Sequence, residues 1–242
     1  MESHLNERPS DLSSVSLPVY AGTPHECPYL PGRTASNEFI VASSLESGLY
    51  QSLMDAGFRR SGEIVYRPTC EGCRECMPIR VPVAMFTPSR SQHRALRKNG
   101  DVRVEIGPPT LTDEKWRIYT AYQVDQHDGA MNTGREDFES FLYRSPTTTE
   151  EMTYCVGERV VAVGIVDVTP IALSSVYFFF DPAERRRSIG VFSALREIEE
   201  CRTRRLPYWY VGYYVRDCRR MSYKAAYQPY ELLDADGVWR GR

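Results

Sequence analysis

Apolar residues recur at helical spacing over residues 43–57. Leu45, Leu49, Leu53 and Met54 mark the run, Ser43 or Ser44 can cap its start, and Gly57 closes it. Residues 89–99 predict a short basic helix closed by Gly100. Residues 112–127 predict another, with Asp113 and Glu114 in the first turn, where the helix dipole favours negative charge. Residues 135–143 add a third. Alternation predicts strands over 79–86, with Pro82 at an edge or bulge, and over 101–106, 151–156, 159–168 and 173–180, with Gly157 and Glu158 turning the chain. A long amphipathic helix over 188–204, an aromatic strand over 208–213, a short helix over 218–225 and a strand over 230–233 complete the pattern. Residues 58–87 mix short extended pieces with Cys, Gly and Pro. Residues 1–25 are polar and rich in Ser and Pro, which predicts an irregular arm. This order predicts an α+β fold on a largely antiparallel sheet with helices packed against it.

The chain has 242 residues, enough for one large domain or two small ones. Its longest apolar stretches, residues 160–166 and 176–180, fall far short of the ~20 residues a membrane helix needs, so no membrane partner is expected. The N-terminus carries no basic stretch followed by an apolar run, which predicts a cytoplasmic protein and seven cysteines held as thiols or metal ligands. The net charge of −2 hides a division. Residues 59–103 hold 10 Lys and Arg against 4 Asp and Glu, residues 183–242 hold 13 against 8, and the remainder is strongly acidic. Two basic segments in an acidic chain suit either a polyanionic partner or solvated helix faces.

Cys70-Glu-Gly-Cys73-Arg-Glu-Cys76 puts three thiols within reach of one centre, and Cys27 can supply a fourth. Four thiolates suit zinc or an iron–sulfur cluster equally, although two successive C-x-x-C steps resemble cluster-binding runs more than zinc ribbons. Cys155, Cys201 and Cys218 are isolated and read as buried apolar residues.

After the strand ending at Phe180, Asp181-Pro182 turns the chain and Arg185-Arg186-Arg187-Ser188-Ile189-Gly190 opens the long helix. Free backbone N–H groups, a glycine and three arginines make an anion site. Arg187-x-x-Gly190 resembles the acyl-carrier loop of the N-acetyltransferase superfamily. Phe192 stands where that loop has a small residue, and its ring is expected to crowd a pyrophosphate. Residues 208–224 interleave aromatics with Arg and Lys, which suits a nucleic-acid end or plain core.

Taken in order, several blocks resemble the arginyl/leucyl-tRNA–protein transferases. They are Cys27-Pro-Tyr-Leu-Pro-Gly-Arg33, Gly57-Phe-Arg-Arg-Ser-Gly62, Tyr66-Arg-Pro68, the cysteine run leading to Ile79-Arg80-Val81, and Ser89-Arg-Ser-Gln92. Ser175-Val-Tyr-Phe178, Asp181-Pro182, Ser188-Ile-Gly190, and Gly212-Tyr-Tyr214 through Cys218, Met221, Tyr223 and Lys224 continue the series. The length and the cysteine spacing look like the short bacterial, leucine-transferring branch. Ser188-Ile-Gly-Val-Phe192 departs from that family's commoner Ser-Leu-Gly-Thr-Tyr, which removes hydroxyls at 191 and 192.

The resemblance implies aminoacyl transfer from leucyl-tRNA to the α-amine of proteins that begin with Asp or Glu, in the N-degron degradation pathway. It also implies an acetyltransferase-like catalytic domain over 101–242, behind an N-terminal module over 21–100 that carries the four cysteines, and an arm over 1–20. An ester donor needs no cofactor, and iron–sulfur or zinc remains an option at the cysteines. Tyr177, Asp181 and Tyr213 are the candidates for catalysis. Arg80, Arg220 and Lys224 match basic positions suited to an acidic acceptor. Arg90, Arg94, Arg97 and Lys98, with Arg185, Arg186, Arg187, Ser188 and Gly190, are the candidates for tRNA. An acetyl-CoA-dependent N-acetyltransferase and a non-catalytic RNA-binding protein are the competing readings.

Overall fold

The structure, a computed structural model, describes residues 17–127 and 134–242. Most of the arm expected over 1–20 lies outside the described residues. Its end does not: β1 (Tyr20–Ala21) pairs with β4 (Asn37–Val41). A two-strand ribbon, β2 (His25–Glu26) and β3 (Thr34–Ala35), lies between them in sequence. Helix α1 (Ser47–Asp55) follows, then β5 (Arg59–Ser61) and β6 (Ile64–Pro68). Strands β1, β4, β6 and β5 form a four-stranded antiparallel sheet. The mixed reading of residues 58–87 gave no warning of this sheet, because its strands have only two to five residues.

Strand β7 (Met77–Pro82) is shorter than the expected 79–86, because the chain turns into a 3-10 helix at Val83–Met85. Helix α2 (Arg90–Lys98) begins with a capping box in which the Ser89 side chain accepts from the Gln92 N–H and the Gln92 side chain accepts from the Ser89 N–H. Then come β8 (Val102–Gly107), α3 (Asp113–His127), α4 (Arg135–Leu142), β9 (Thr149–Val156), β10 (Arg159–Val168) and β11 (Ala172–Phe180). A 3-10 helix (Pro182–Arg187) leads into α5 (Ile189–Thr203) and β12 (Tyr208–Tyr214). The short helix expected over 218–225 is two pieces, α6 (Arg219–Ser222) and a 3-10 turn (Tyr223–Ala226). Strands β13 (Glu231–Leu233) and β14 (Trp239–Gly241) finish the chain.

The main sheet has eight strands in the order β14-β13-β7-β12-β11-β10-β9-β8. Every neighbouring pair is antiparallel except β11 and β12. Successive side chains on a strand point to opposite faces, and this sorts the core. Leu173, Trp209 and Val211 pack with α5 through Leu195 and Ile198. Ala172 and Tyr210 pack instead with α1 and the small sheet through Tyr50, Met54, Ile40 and Val65. Further along, α3 and α4 cover Val163, Ile165 and Phe179.

Beneath α1 lies a polar knot built on a fully buried ion pair. Asp167 accepts from Arg60 Nε at 2.8 Å, Tyr50 OH at 2.9 Å and Thr149 Oγ1 at 2.6 Å. It joins the small sheet to the large one, because Arg60 belongs to β5 and Asp167 to β10.

The parallel pair β11 and β12 is paired over only three residues, Ala172–Ser174 against Tyr208–Tyr210. Both strands carry a register shift where pairing stops. Val176 is the extra residue on β11 against β10, and Val211 the extra residue on β12 against β7. Bulges of this kind bend a strand away from its neighbour. The sheet therefore parts between β11 and β12 beyond Ser174 and Tyr210.

Candidate active site

Glu197 of α5 is buried beside the parting. It accepts from Trp209 Nε1 at 2.8 Å, from Ser193 Oγ at 3.3 Å and from Ser175 Oγ. Burial pushes its carboxyl above the ordinary range, and the three donors oppose that rise. No sequence argument singled it out, because a lone Glu on an amphipathic helix looks like any exposed one.

The 3-10 turn Tyr223–Ala226 brings Lys224 against β12. Lys224 Nζ donates to the Tyr213 carbonyl at 2.7 Å, with Met221 Sδ at 3.6 Å. Gly212 lies against it at φ +90°, and a Cβ there would stand 3.4 Å from Nζ, so the strand has a glycine where the ammonium packs. Lys224 is buried, and its amine is pushed down to about 7, first by desolvation and then by the charge of Arg59. Below about pH 7 the folded chain therefore bears the cost of a buried ammonium. Between about 7 and the ordinary 10.5 the unfolded chain binds more protons than the folded one, so folding strengthens as pH rises through that window. In urea unfolding, the stability of the protein relative to its Lys224→Met variant is expected to climb from pH 7 to pH 10. A difference that stays flat would show that the ionisation of Lys224 is not linked to folding.

Tyr177, Asp181 and Tyr213 are bonded to three different parts of the frame. Gln123 of α3 donates to the Tyr177 hydroxyl at 2.8 Å. Asp181 caps the 3-10 helix through the Ala183 N–H at 3.0 Å and pairs with Arg159 at 3.1 Å. Tyr213 OH donates to the carbonyls of Gly57 at 2.8 Å and Tyr66 at 3.2 Å, and burial raises its pKa well above the usual phenol range.

Arg80 is a framework cation rather than a free acceptor contact. Its guanidinium sits 3.8 Å from the Tyr208 ring and 4.2 Å from the Trp239 ring, and it donates to Glu231 at 2.7 Å and Tyr210 OH at 3.1 Å. Arg220 is exposed on α6.

The two basic segments meet. Lys98 Nζ donates to the Arg186 carbonyl at 3.1 Å and Asn99 Nδ2 to the Arg187 carbonyl at 2.9 Å, which docks the end of α2 on the start of α5. Arg187 pairs with Asp101 and Glu184, and Arg185 with Asp125. Arg90, Arg94, Arg97, Lys98 and Arg186 are exposed and have no carboxylate partner among the described residues. A cleft of about 390 Å³ opens here, lined by Ser89, Arg94, Lys98, Ser188, Val191 and Tyr223 among others. Ser188 adopts a left-handed backbone at φ 57° before the helix, and Gly190 rests against the Phe178 ring. The expectation that Phe192 crowds this loop is corrected. Its ring is buried in the core, 6.1 Å from Tyr154, and leaves the helix start clear.

The four cysteines of the N-terminal segment gather around Cys76. Cys76 is within electrostatic reach of Cys70, Cys27 and Cys73, and burial pushes its thiol up to about 12. Cys27 Sγ accepts from the Leu30 N–H at 3.4 Å, Cys73 Sγ from Arg33 Nη1 at 3.3 Å, and Cys70 Sγ donates to the Ser36 carbonyl at 3.6 Å. Four thiols are the right donors for zinc or a cluster. Among the described residues, however, no group of three or more His, Cys, Asp or Glu has the geometry to hold a metal ion. Cys155, Cys201 and Cys218 are buried and free, as expected. No helix of the described residues is long and apolar enough to cross a membrane.

Two family models match the chain. "Arginine-tRNA-protein transferase, N terminus" covers residues 25–94, and "Arginine-tRNA-protein transferase, C terminus" covers residues 114–234. The aspartate/glutamate leucyltransferase of Marinobacter nauticus is 40% identical over 228 residues, which is 93% of this chain and 96% of the relative. The protein of that name from Saccharophagus degradans is 41% identical over the same shares. That from Thiobacillus denitrificans is 37% identical over 96% of this chain and 98% of its own. Among solved structures, L-PGS from Bacillus licheniformis aligns at a TM-score of 0.42 with 9% identity, over 59% of this chain and 46% of that one, too distantly to inform the fold or the chemistry. The matched segments take in the cysteine loop, the start of the basic helix, the parted strands and the Lys224 turn alike, and on that footing the chain belongs to the arginine-tRNA–protein transferase family, an aminoacyltransferase family.

Proposed function

We propose that the chain transfers leucine from leucyl-tRNA to the α-amine of proteins that begin with Asp or Glu, marking them for N-degron degradation in the cytoplasm. The names of its 37–41% identical relatives support the choice of donor and acceptor. The observation that carries the reading is the adjacency of an unpaired cationic cleft at the start of α5 to the parting of β11 and β12. The parting resembles the opening that acetyltransferase-like folds use for an acyl donor, and we read residues 101–242 as that kind of catalytic unit. Residues 21–100 serve as the N-terminal module, contributing β7 to the main sheet.

In this reading Arg90, Arg94, Arg97, Lys98 and Arg186 meet tRNA phosphates, and the aminoacyl ester enters along the cleft towards the parting. The ester is already activated, so transfer requires no cofactor. The acceptor α-amine has an ordinary pKa near 8, which leaves a useful neutral fraction at pH 7. Its nitrogen attacks the ester carbonyl, the C–N bond forms and the C–O bond breaks. The amine's proton passes to the departing ribose oxygen. Holding the two reactants in attack geometry supplies as much as ~7–11 kcal/mol. Strand β12 is not paired with β11 beyond Tyr210, and backbone N–H groups on that edge suit the tetrahedral oxyanion. Lys224 and Arg220 remain on the acceptor side, whereas Tyr177, Asp181, Tyr213 and Arg80 act through the frame.

The test is transfer of labelled leucine from purified leucyl-tRNA to peptides that differ only in the first residue. Incorporation into Asp- and Glu-started peptides is expected. No incorporation into either, from a folded preparation, would overturn the proposal.

A further inference from the structure

Arg59 of β5 is 5% exposed and lies beside the Lys224 turn. Its Nη1 donates to the carbonyls of Met54 at 3.2 Å and Phe58 at 2.6 Å. Its Nε and Nη2 are buried and have no hydrogen-bond partner, and no carboxylate pairs with it among the described residues. The rings of Tyr210, at 5.2 Å, and Tyr213, at 5.7 Å, face the guanidinium. A ring face attracts the charge but does not bond the N–H groups along the edge.

The next residue shows what a satisfied edge looks like. Arg60 presents the same two nitrogens to Asp167, with Nε to Oδ2 at 2.8 Å and Nη2 to Oδ1 at 2.9 Å. A buried guanidinium with that edge unfilled is costly to a fold that gains nothing from it. The second buried cation of the region, Lys224, also lacks a carboxylate, and the two raise each other's cost. Two parallel N–H groups with a second cation nearby match a carboxylate, which accepts both at once. They do not match a carboxamide, whose NH2 would face a donor.

We propose that the Nε–Nη2 edge of Arg59 is the specificity-determining subsite for the side-chain carboxylate of the acceptor's first residue. This rests on the leucyl-transfer reading and assigns its selectivity to one side chain. Arg59 stacks over Tyr210 and Tyr213, which stand on either side of Val211 and Gly212 on β12. A carboxylate seated on that edge would lie beside Tyr210 and Tyr213 of the strand that borders the parting, near the Lys224 turn.

The experiment has two arms. In the first, kcat/KM is measured for peptides starting with Asp, Glu, Asn and Gln, using the wild-type protein and Arg59→Gln. The variant is expected to lose about 10²-fold or more on Asp and Glu and little on Asn and Gln, so that the preference collapses. Its affinity for leucyl-tRNA and its thermal melt should stay near wild type. A variant that keeps its preference overturns the inference. In the second arm, which needs no variant, the Arg59 15Nε–1H signal of the wild-type protein is assigned through bonds and followed as peptide is added. An Asp-started peptide should move it downfield and an Asn-started one should not. Transfer to Asp peptides with an unmoved signal sinks the role of Arg59 alone. A moved signal without transfer sinks the leucyl-transfer reading and leaves Arg59 as a carboxylate site.

Discussion

Asp167→Ala is expected to cost about 3–5 kcal/mol of unfolding free energy, the range found when one partner of a buried ion pair is removed. Both side chains of the Arg60–Asp167 pair are fully buried. Truncation leaves the Arg60 guanidinium in the interior with its bidentate partner gone, and it orphans the hydroxyl of Tyr50 as well. A domain's total stability is about 5–15 kcal/mol, so the loss is a large share of the whole. At roughly 2–4 °C per kcal/mol for a chain of this size, the melting temperature should fall by about 6–20 °C. Asp167→Asn keeps one acceptor oxygen and should cost clearly less. Urea unfolding of both variants checks this ordering, and an Asp167→Ala loss under about 1 kcal/mol would show that the knot does not hold the two sheets together.

The second large effect concerns the donor. Reversing Arg94 and Lys98 to Glu should weaken leucyl-tRNA binding by about 50–100-fold near 0.1 M salt. It should also make the plot of log affinity against log salt shallower by about 1.4–1.8. Both side chains are exposed, line the cleft and have no carboxylate partner, so their charge is available, and their loss costs the fold only the exposed bond from Lys98 to the Arg186 carbonyl. Reversing Arg185 and Arg187 should do less to binding, because those two are already neutralised by Asp125, Asp101 and Glu184. Equal salt slopes for the wild type and the Arg94/Lys98 variant would remove the cleft from the tRNA path.

The long periodic elements were legible in the sequence. Helices α2, α3, α4 and α5 and strands β9, β10 and β11 fall within two residues of their expected bounds, because their faces are buried by regular packing. The small sheet was not legible. Its strands are too short to show a period, and their order in space depends on partners far along the chain. The site was half legible. Charge runs located the cleft, but charge along the chain does not say which cations are already neutralised, and Arg185, Arg187 and Arg80 proved to be paired. Phe192 was misjudged because a helix start gives no sign of which way its fourth residue points. Glu197 and Arg59 were invisible as chemistry, since what distinguishes them is the company their side chains keep after folding.

The insertion of β7 between β13 and β12 has a consequence for synthesis. Arg80 on β7 is bonded to Tyr210 on β12, 130 residues later. At about 5–20 residues per second, a ribosome needs roughly 7–26 s to make that partner. Through that interval β7, apolar on one face at Ile79 and Val81, has neither neighbour. The nascent chain must keep a bare strand out of trouble while waiting, and shielding by a holdase at the exit tunnel would matter more to its yield than any refinement of the finished core.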